Sequence, residues 1–260
     1  MDVSIQLFIS YPSADAGRPF LFGWVAQFFG IGIIGPLYFF LHYATSQISN
    51  FKALDNRLTN FAYTRTVLPV MIAGFYVPLF ISHFHPDLSV RHAGNWIWQI
   101  YPVWVSGLQF LLVRTIVPST IQHDRIYAPT RDVSTIRFTV GTFVALSAAV
   151  WLYVFSMSPF SPMTIFIPHP AVPQTSWIVA IRTFVQYDHL FCWSSALLWL
   201  GYLFADLKHA GMVTQSWLKI VATAALTTLL LGPGAAVGLG WLWRENILLT
   251  KRHKSAIVKR

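Results

Sequence analysis

The residues most able to do chemistry stand in the middle of one long apolar segment, Thr175–Leu207. It reads TSWIVAIRTFVQYDHLFCWSSALLWLGYLFADL, with Arg182, Gln186, Asp188 and His189 near its centre. An aspartate at the centre of a membrane helix costs roughly 2.5–3.5 kcal/mol on insertion scales. Such a group persists where it faces a protein-lined cavity and has a partner or a task. We therefore predict Asp188 as a proton donor or charge partner; the alternative is a structural salt bridge with Arg182.

Three further residues belong to this predicted site. His189 lies about 100° round a helix from Asp188, so it either lines the same cavity or bonds to a neighbouring span. Gln186 is a candidate for binding substrate. Glu245 is the only glutamate of the chain and follows the last apolar segment directly after Arg244. It is a third candidate for catalysis, and a structural ion pair with Arg244 is the alternative.

A row of polar residues lies along another apolar segment, Trp96–Val117. Asn95, Gln99, Ser106 and Gln109 succeed one another at intervals of 4, 7 and 3 residues, with Pro102 completing the row. In a continuous helix these positions share one face. Because amides facing lipid are costly, this face is expected to point inward. Asn95, Gln99 and Gln109 then either bind substrate or hold helices together through hydrogen bonds.

Three aromatic residues follow the same segment at intervals of three, namely Trp98, Tyr101 and Trp104. Aromatic faces stabilise cations by roughly 0.5–2 kcal/mol each, so all three are candidates for binding substrate. An aromatic belt at the membrane interface is the alternative. It explains Trp96 better than Trp104, which lies about 12 Å deeper by the rise of a continuous helix.

Composition indicates an integral membrane protein. Hydrophobic residues make up 55% of the 260-residue chain and charged residues 10%, against about 25% charged residues in soluble domains. The net charge of +9 falls largely in the loops and the C-terminal tail, where basic residues set membrane topology, and nucleic acid is not expected as a partner. The single cysteine, Cys192, excludes an intramolecular disulfide. No carboxylate cluster or Walker phosphate loop is present, so neither a metal nor a cofactor is expected.

The apolar segments predict an all-α polytopic fold with about seven transmembrane helices. Six are direct: Phe20–Tyr43, Thr66–His83, Trp96–Val117, Phe138–Met157, Thr175–Leu207 and Trp217–Trp243. A seventh, re-entrant or broken, between Pro159 and Asp188 would place all the basic loops and the tail on the cytosolic side. We expect one membrane domain over residues 1–260, with an N-terminal segment at 1–19 and a basic cytosolic tail at 246–260. The start lacks the basic region of a secretory signal.

Three stretches resemble a known family: NWIWQIYPVW (Asn95–Trp104), QYDHLFCWSSALLWLGYLFADLKHAG (Gln186–Gly211) and GPGAAVGLGWLWRE (Gly232–Glu245). They look like the fungal integral-membrane terpene cyclases of the ascofuranone/macrophorin type. The resemblance implies a role in meroterpenoid biosynthesis, in the membrane of the endoplasmic reticulum. It also implies cyclisation of a linear prenyl chain, started by protonation of an epoxide or terminal olefin, without a metal or organic cofactor.

The residues fit that expectation, because a cyclase of this kind needs an acid, aromatic faces and walls that exclude water. Its partners would be a prenylated small-molecule substrate and the lipid bilayer, while the oligomeric state stays open. Two alternatives use the same cavity: a carrier of a lipid-like small molecule with a protonatable Asp188, and a sterol-type membrane isomerase. The absence of internal repeats counts against the carrier, since many carriers show two related halves.

Overall fold

A computed structural model of the chain describes residues 19–45, 61–115, 132–169 and 176–250. These residues form helices joined by short connections, and no strand occurs among them. The helices are α1 (Pro19–Phe29), α2 (Ile31–Thr45), α3 (Phe61–Met71), a π-helical turn (Ile72–Tyr76), α4 (Val77–Phe84), α5 (Leu88–Gln99), α6 (Tyr101–Thr115), α7 (Val133–Met157), α8 (Pro162–Phe166), α9 (Trp177–His209), α10 (Trp217–Leu231) and α11 (Pro233–Thr250). The all-α prediction is confirmed for the described part of the chain.

The described residues fall into two compact units. The first contains 29–45, 140–169 and 176–250, which are α2, most of α7, and α8 to α11. The second contains 19–28, 61–115 and 132–139, which are α1, α3 to α6 and the start of α7. The predicted single membrane domain stays a prediction. α11 continues to Thr250, so five residues of the predicted tail are helical, while 251–260 lie outside the described residues.

Length and composition allow some of these helices to cross a membrane. Three are long and apolar enough in the described ranges: Ala62–Phe84, which joins α3, the π-helical turn and α4, then α7 and α9. A fourth is possible if α5 and α6 together make one bent span. Between Pro159 and Asp188 the described residues form only the five-residue α8 and the first turns of α9. The count of seven transmembrane helices is therefore not shown.

Three of the predicted spans are interrupted. Phe20–Tyr43 breaks at Gly30 and Trp217–Trp243 breaks at Gly232, where φ is +86° and +87°. Residues with a side chain rarely adopt such values, whereas glycine does so readily. Trp96–Val117 breaks at Ile100, where α5 and α6 meet at 68°. Pro102 is the second residue of α6, and its ring cannot supply the amide that a continuous helix would need there.

The segment from Thr175 onward shows the opposite behaviour. Here α9 runs unbroken for 33 residues, or roughly 50 Å, so the apolar segment folds as one long helix. Its N-terminus is capped by Ser176, whose side chain accepts a hydrogen bond from the amide of Val179. Beyond its C-terminus, Gly211 has φ +69°. α9 is the longest described helix and contacts α2, α8 and α11.

In the first unit, α9 packs along α2 through small residues. A Cβ atom added to Gly32 would lie 2.7 Å from the Cα and 2.8 Å from the carbonyl oxygen of Asp188. One turn further, a Cβ on Gly35 would lie 3.7 Å from Sγ of Cys192. Small residues at these positions let two helix backbones approach closely, as in many membrane helix pairs. Further along, Phe39 packs on Trp199, with 5.1 Å between ring centroids.

In the second unit, α4 packs against α5 and α3 against α6. The turn into α5 is made by Asp87, whose carboxylate accepts hydrogen bonds from the amide and hydroxyl of Ser89, each at 2.8 Å. These two bonds hold the pKa of Asp87 below its usual value. Between α3 and α6, the buried Gln109 donates from Nε2 to the carbonyl oxygen of Tyr63 at 3.2 Å.

The contact of α2 with α9 makes a specific prediction about Gly32. We expect Gly32→Ala to destabilise the protein by about 1–3 kcal/mol, the usual cost of overpacking, because the new methyl group meets the backbone of α9. The matched control is Gly201→Ala on α9, where an added Cβ meets nothing within 4 Å. This change should be neutral or stabilise the helix by about 0.5–1 kcal/mol. Thermal unfolding of both variants in detergent measures the difference, and equal losses would contradict the proposed close contact.

Candidate functional site

Asp188 lies where the N-terminus of α2 meets the middle of α9. Its Oδ1 accepts a hydrogen bond from the amide of Gly32 at 2.6 Å, and a Cβ on Gly30 would lie 2.6 Å from the same oxygen. The first amides of a helix lack partners within the helix, and the helix dipole favours a negative charge there. Asp188 therefore supplies a hydrogen-bond acceptor to the N-terminus of α2. The alternative salt bridge with Arg182 is absent from the described ion pairs, and Arg182 is exposed.

The neighbours of Asp188 on α9 face a different partner. Gln186 is buried, and its Nε2 donates to the carbonyl oxygens of Thr164 at 2.8 Å and Ile165 at 3.0 Å. The ring of His189 lies 5.3 Å from that of Phe166. These contacts tie α8 to α9 on a side of α9 that does not carry the Asp188–Gly32 contact. The side chains of Asp188 and His189 diverge, as their 100° separation on a helix predicts.

The sequence analysis missed an aromatic cluster that touches His189 through Phe166. Phe166 stacks on Trp151, with 4.8 Å between ring centroids, and Trp151 lies 4.6 Å from Phe155. The indole of Trp151 donates to the carbonyl oxygen of Leu229 on α10 at 3.2 Å. The four-residue spacing of Trp151 and Phe155 is a signal in the sequence, since it places both rings on one side of a helix.

Glu245 forms the predicted ion pair with Arg244, with Oε1 and a guanidinium nitrogen 2.5 Å apart. The two side chains are only 12% and 6% exposed. In the same unit, the indole of Trp199 donates to Nδ1 of His42 at 3.3 Å. Each of the three predicted catalytic residues therefore has its own partner in the structure: Gly32 for Asp188, Phe166 for His189 and Arg244 for Glu245.

The predicted substrate-binding residues of the second unit do not share one helix face. Asn95 and Gln99 belong to α5, whereas Ser106 and Gln109 belong to α6. The 68° bend at Ile100 separates them, so the prediction of one continuous polar row is wrong. The predicted depth of Trp104 relative to Trp96 fails for the same reason, because it assumed an unbroken helical rise.

The predicted substrate-binding residues of the second unit instead lie in three environments: buried, exposed, or lining a groove. Tyr101 is buried and packs against Phe75 with 4.8 Å between ring centroids, and Trp98 lies 6.0 Å from the same ring. Gln109 is bonded to the α3 backbone, and Trp104 is 46% exposed. Asn95 and Gln99 line an open groove, which they share with residues of α1. The role of these residues in binding substrate stays a prediction.

Comparison with known proteins finds one matching family and several fungal relatives. Residues 16–249 match the family described as CtvD domain. The chain is 40% identical over 243 residues to the FAD-dependent monooxygenase verC1 of Penicillium polonicum, covering 93% of this chain and 30% of the relative. It is 39% identical over 232 residues to the FAD-dependent monooxygenase anuJ of Penicillium roqueforti, covering 88% and 28%. For the FAD-dependent monooxygenase BOA8 of Botryotinia fuckeliana, identity is 34% over 241 residues, covering 90% and 30%.

The chain thus spans less than a third of the length of each of these relatives. No solved structure matches it significantly. The relatives are named for oxidation, and this finding overturns the expectation of a terpene cyclase started by acid. The cyclase type implied by the resemblance is corrected accordingly, while the role of Asp188 as a proton donor or charge partner stays a prediction.

The names of the relatives raise the question whether this chain holds FAD. A G-x-G-x-x-G sequence is present at Gly30, Gly32 and Gly35 and opens α2, and the sequence analysis missed it. A dinucleotide site places this sequence between a strand and a helix, with the pyrophosphate on the helix N-terminus. Here α1 precedes it in place of a strand, and the Asp188 carboxylate occupies the Gly32 amide. The amide that would meet the pyrophosphate already has a partner, so this glycine-rich sequence does not fit a dinucleotide site.

The ion pair of α11 gives a stability test. Glu245→Gln removes the neutralising charge beside a buried guanidinium and should cost about 3–5 kcal/mol. The double variant Arg244→Met with Glu245→Leu should lose less, because both charges leave the apolar interior together. Chemical unfolding in detergent compares the two. A double variant at least as unstable as Glu245→Gln would show that shape, rather than charge, determines stability at this position.

Proposed function

The chain belongs to the CtvD domain family, and we propose that it takes part in the flavin-dependent monooxygenation of an apolar small molecule in fungal secondary metabolism. The observation that carries the proposal is that three relatives named FAD-dependent monooxygenases each contain a counterpart of almost the whole chain. In this proposal the chain is part of an enzyme. The most specific version of the proposal assigns that enzyme to a meroterpenoid pathway.

Within that oxidation, the chain is the helical part that binds and orients the substrate. The flavin is bound by polypeptide outside the described residues, either on the same chain or on a second protein. Two observations support this division. The space beside Gly30, Gly32 and Gly35 is filled by residues of α9. The relative verC1 is more than three times as long as the segment that matches this chain. The chemistry of oxygen transfer is accordingly assigned to the flavin-binding part, and substrate placement to the helices.

The bilayer is the proposed environment, with the endoplasmic reticulum as its location. Large apolar side chains are exposed along α9, including Trp177 at 73%, Ile178 at 62% and Phe184 at 56%. Similar exposure occurs on α10, where Leu218 is 80% and Leu229 is 72% exposed. Contiguous apolar surface of this kind marks a membrane or protein contact. We also propose that the C-terminal tail lies in the cytosol and that the chain crosses the membrane about seven times.

The candidate residues take different roles in this proposal. Asp188 and Gln186 are positioning residues, because their hydrogen bonds fix α2 and α8 on α9. His189 extends the aromatic surface formed with Phe166. Asn95 and Gln99 are candidates for direct substrate contact, because they line open space.

The proposal predicts a change of oxidation state when the chain is lost. Disrupting its gene in the native host should accumulate a metabolite that lacks one oxygen atom relative to the normal product. Re-expression of the wild-type chain, or of Gly201→Ala as a control, should restore the oxidised product. High-resolution mass spectrometry of culture extracts measures both. If the disrupted strain keeps full oxidation and accumulates only an isomer of equal mass, the oxidative role is wrong.

A further inference from the structure

Three amide side chains converge on one groove in the second unit. Gln27 comes from α1, and Asn95 and Gln99 come from α5. The groove has a volume of about 400 Å³, which lies within the range of small-molecule sites. None of the three amides forms a side-chain hydrogen bond to another described residue. Within the part of the chain that the structure describes, their donors and acceptors are therefore available to a ligand.

Aromatic rings form the walls of the same groove. Trp24 and Phe28 on α1 meet edge to face, with 5.2 Å between ring centroids, and Trp96 on α5 also lines the space. These rings are 43%, 70% and 73% exposed. A bound apolar chain would cover much of that area, and each aromatic side chain that is covered contributes strongly to binding. The i, i+3 and i+4 spacing of Trp24, Gln27 and Phe28 is the sequence signal for this wall.

The charge of the lining restricts the ligand. All the side chains around the groove are uncharged. An amide offers both N–H donors and a carbonyl acceptor, which suit hydroxyl and carbonyl groups equally. A phosphate or carboxylate would meet no cation, and taking an ion out of water without a counter-charge is costly. A ligand without any polar atom would leave the amides unsatisfied when it covered them.

We propose that this groove binds an amphipathic small molecule with an uncharged hydroxyl or carbonyl head group on the amides and an apolar chain against the aromatic rings. The proposal rests on the proposed function, since it names the class of substrate or product that the helical part would hold. The bend between α5 and α6 supports it. At the bend α5 turns away from the axis of α6. The amides and rings of α5 therefore face the groove that α5 forms with α1, and α5 does not continue α6 as one straight apolar span.

The test uses photo-crosslinking of the full chain in lipid vesicles. The probe is a long-chain alcohol with a diazirine in its alkyl chain, and peptide mass spectrometry locates the label. We expect label on peptides of α1 and α5. The unlabelled alcohol should compete, while the alkane and the alkyl phosphate of the same length should not. Labelling that the alkane suppresses equally well would show simple partition into apolar surface and would overturn the proposal, as would label confined to other helices.

Variants test the role of the amides. Gln99→Met and Asn95→Leu keep the bulk of each side chain and remove the hydrogen bonds, so each should raise the probe concentration for half-maximal labelling about fivefold. Gln215→Met removes an amide in the other unit and should leave it unchanged. An unaltered value in both groove variants, with helical content equal to wild type, would overturn the proposal. Because this readout needs neither flavin nor turnover, loss of metabolite oxidation and loss of binding can be told apart.

Discussion

The contact between the N-terminus of α2 and the middle of α9 is the constraint on which the first unit depends. Two helix backbones can come this close only where one of them has no side chain, and Gly32 meets that need. The approach brings the Asp188 carboxylate onto the Gly32 amide. A group that would be expensive in an apolar surrounding is thereby satisfied, and an orphan amide of α2 gains its partner. The close packing at Gly32 and the hydrogen bond from its amide to Asp188 therefore both hold α2 in the same position on α9.

The same contact decides what the glycine-rich sequence can do. In a dinucleotide site, glycine makes room for a phosphate, but here it makes room for α9. The carboxylate takes the position that an anionic ligand would need. In the proposed function, the flavin is therefore bound by polypeptide outside the described helices. The described chain contributes apolar surface, ordered polar contacts and a groove whose amides are open to a ligand.

Most polar side chains among the apolar helices are committed to structure. Gln186 holds α8, Gln109 holds α3, and Arg244 pairs with Glu245. In an apolar setting each unsatisfied polar group is costly, so such commitments are expected. The amides at the groove of α1 and α5 differ because they face accessible space. This contrast, rather than residue type, separates a candidate binding residue from a structural one.

The sequence by itself determined the all-helical character and the apolar segments, because composition carries that information, and it offered the Arg244–Glu245 pair as one of two alternatives, because the two residues are neighbours in the chain. It also marked Asp188 as a group that needs a partner. Only the tertiary structure decided which partner, since Gly32 lies 156 residues away in the chain. The breaks at Gly30 and Ile100 depend on backbone angles and on neighbouring helices, which hydropathy does not record. The row from Asn95 to Gln109 failed for that reason: residue spacing defines a helix face only while the helix continues.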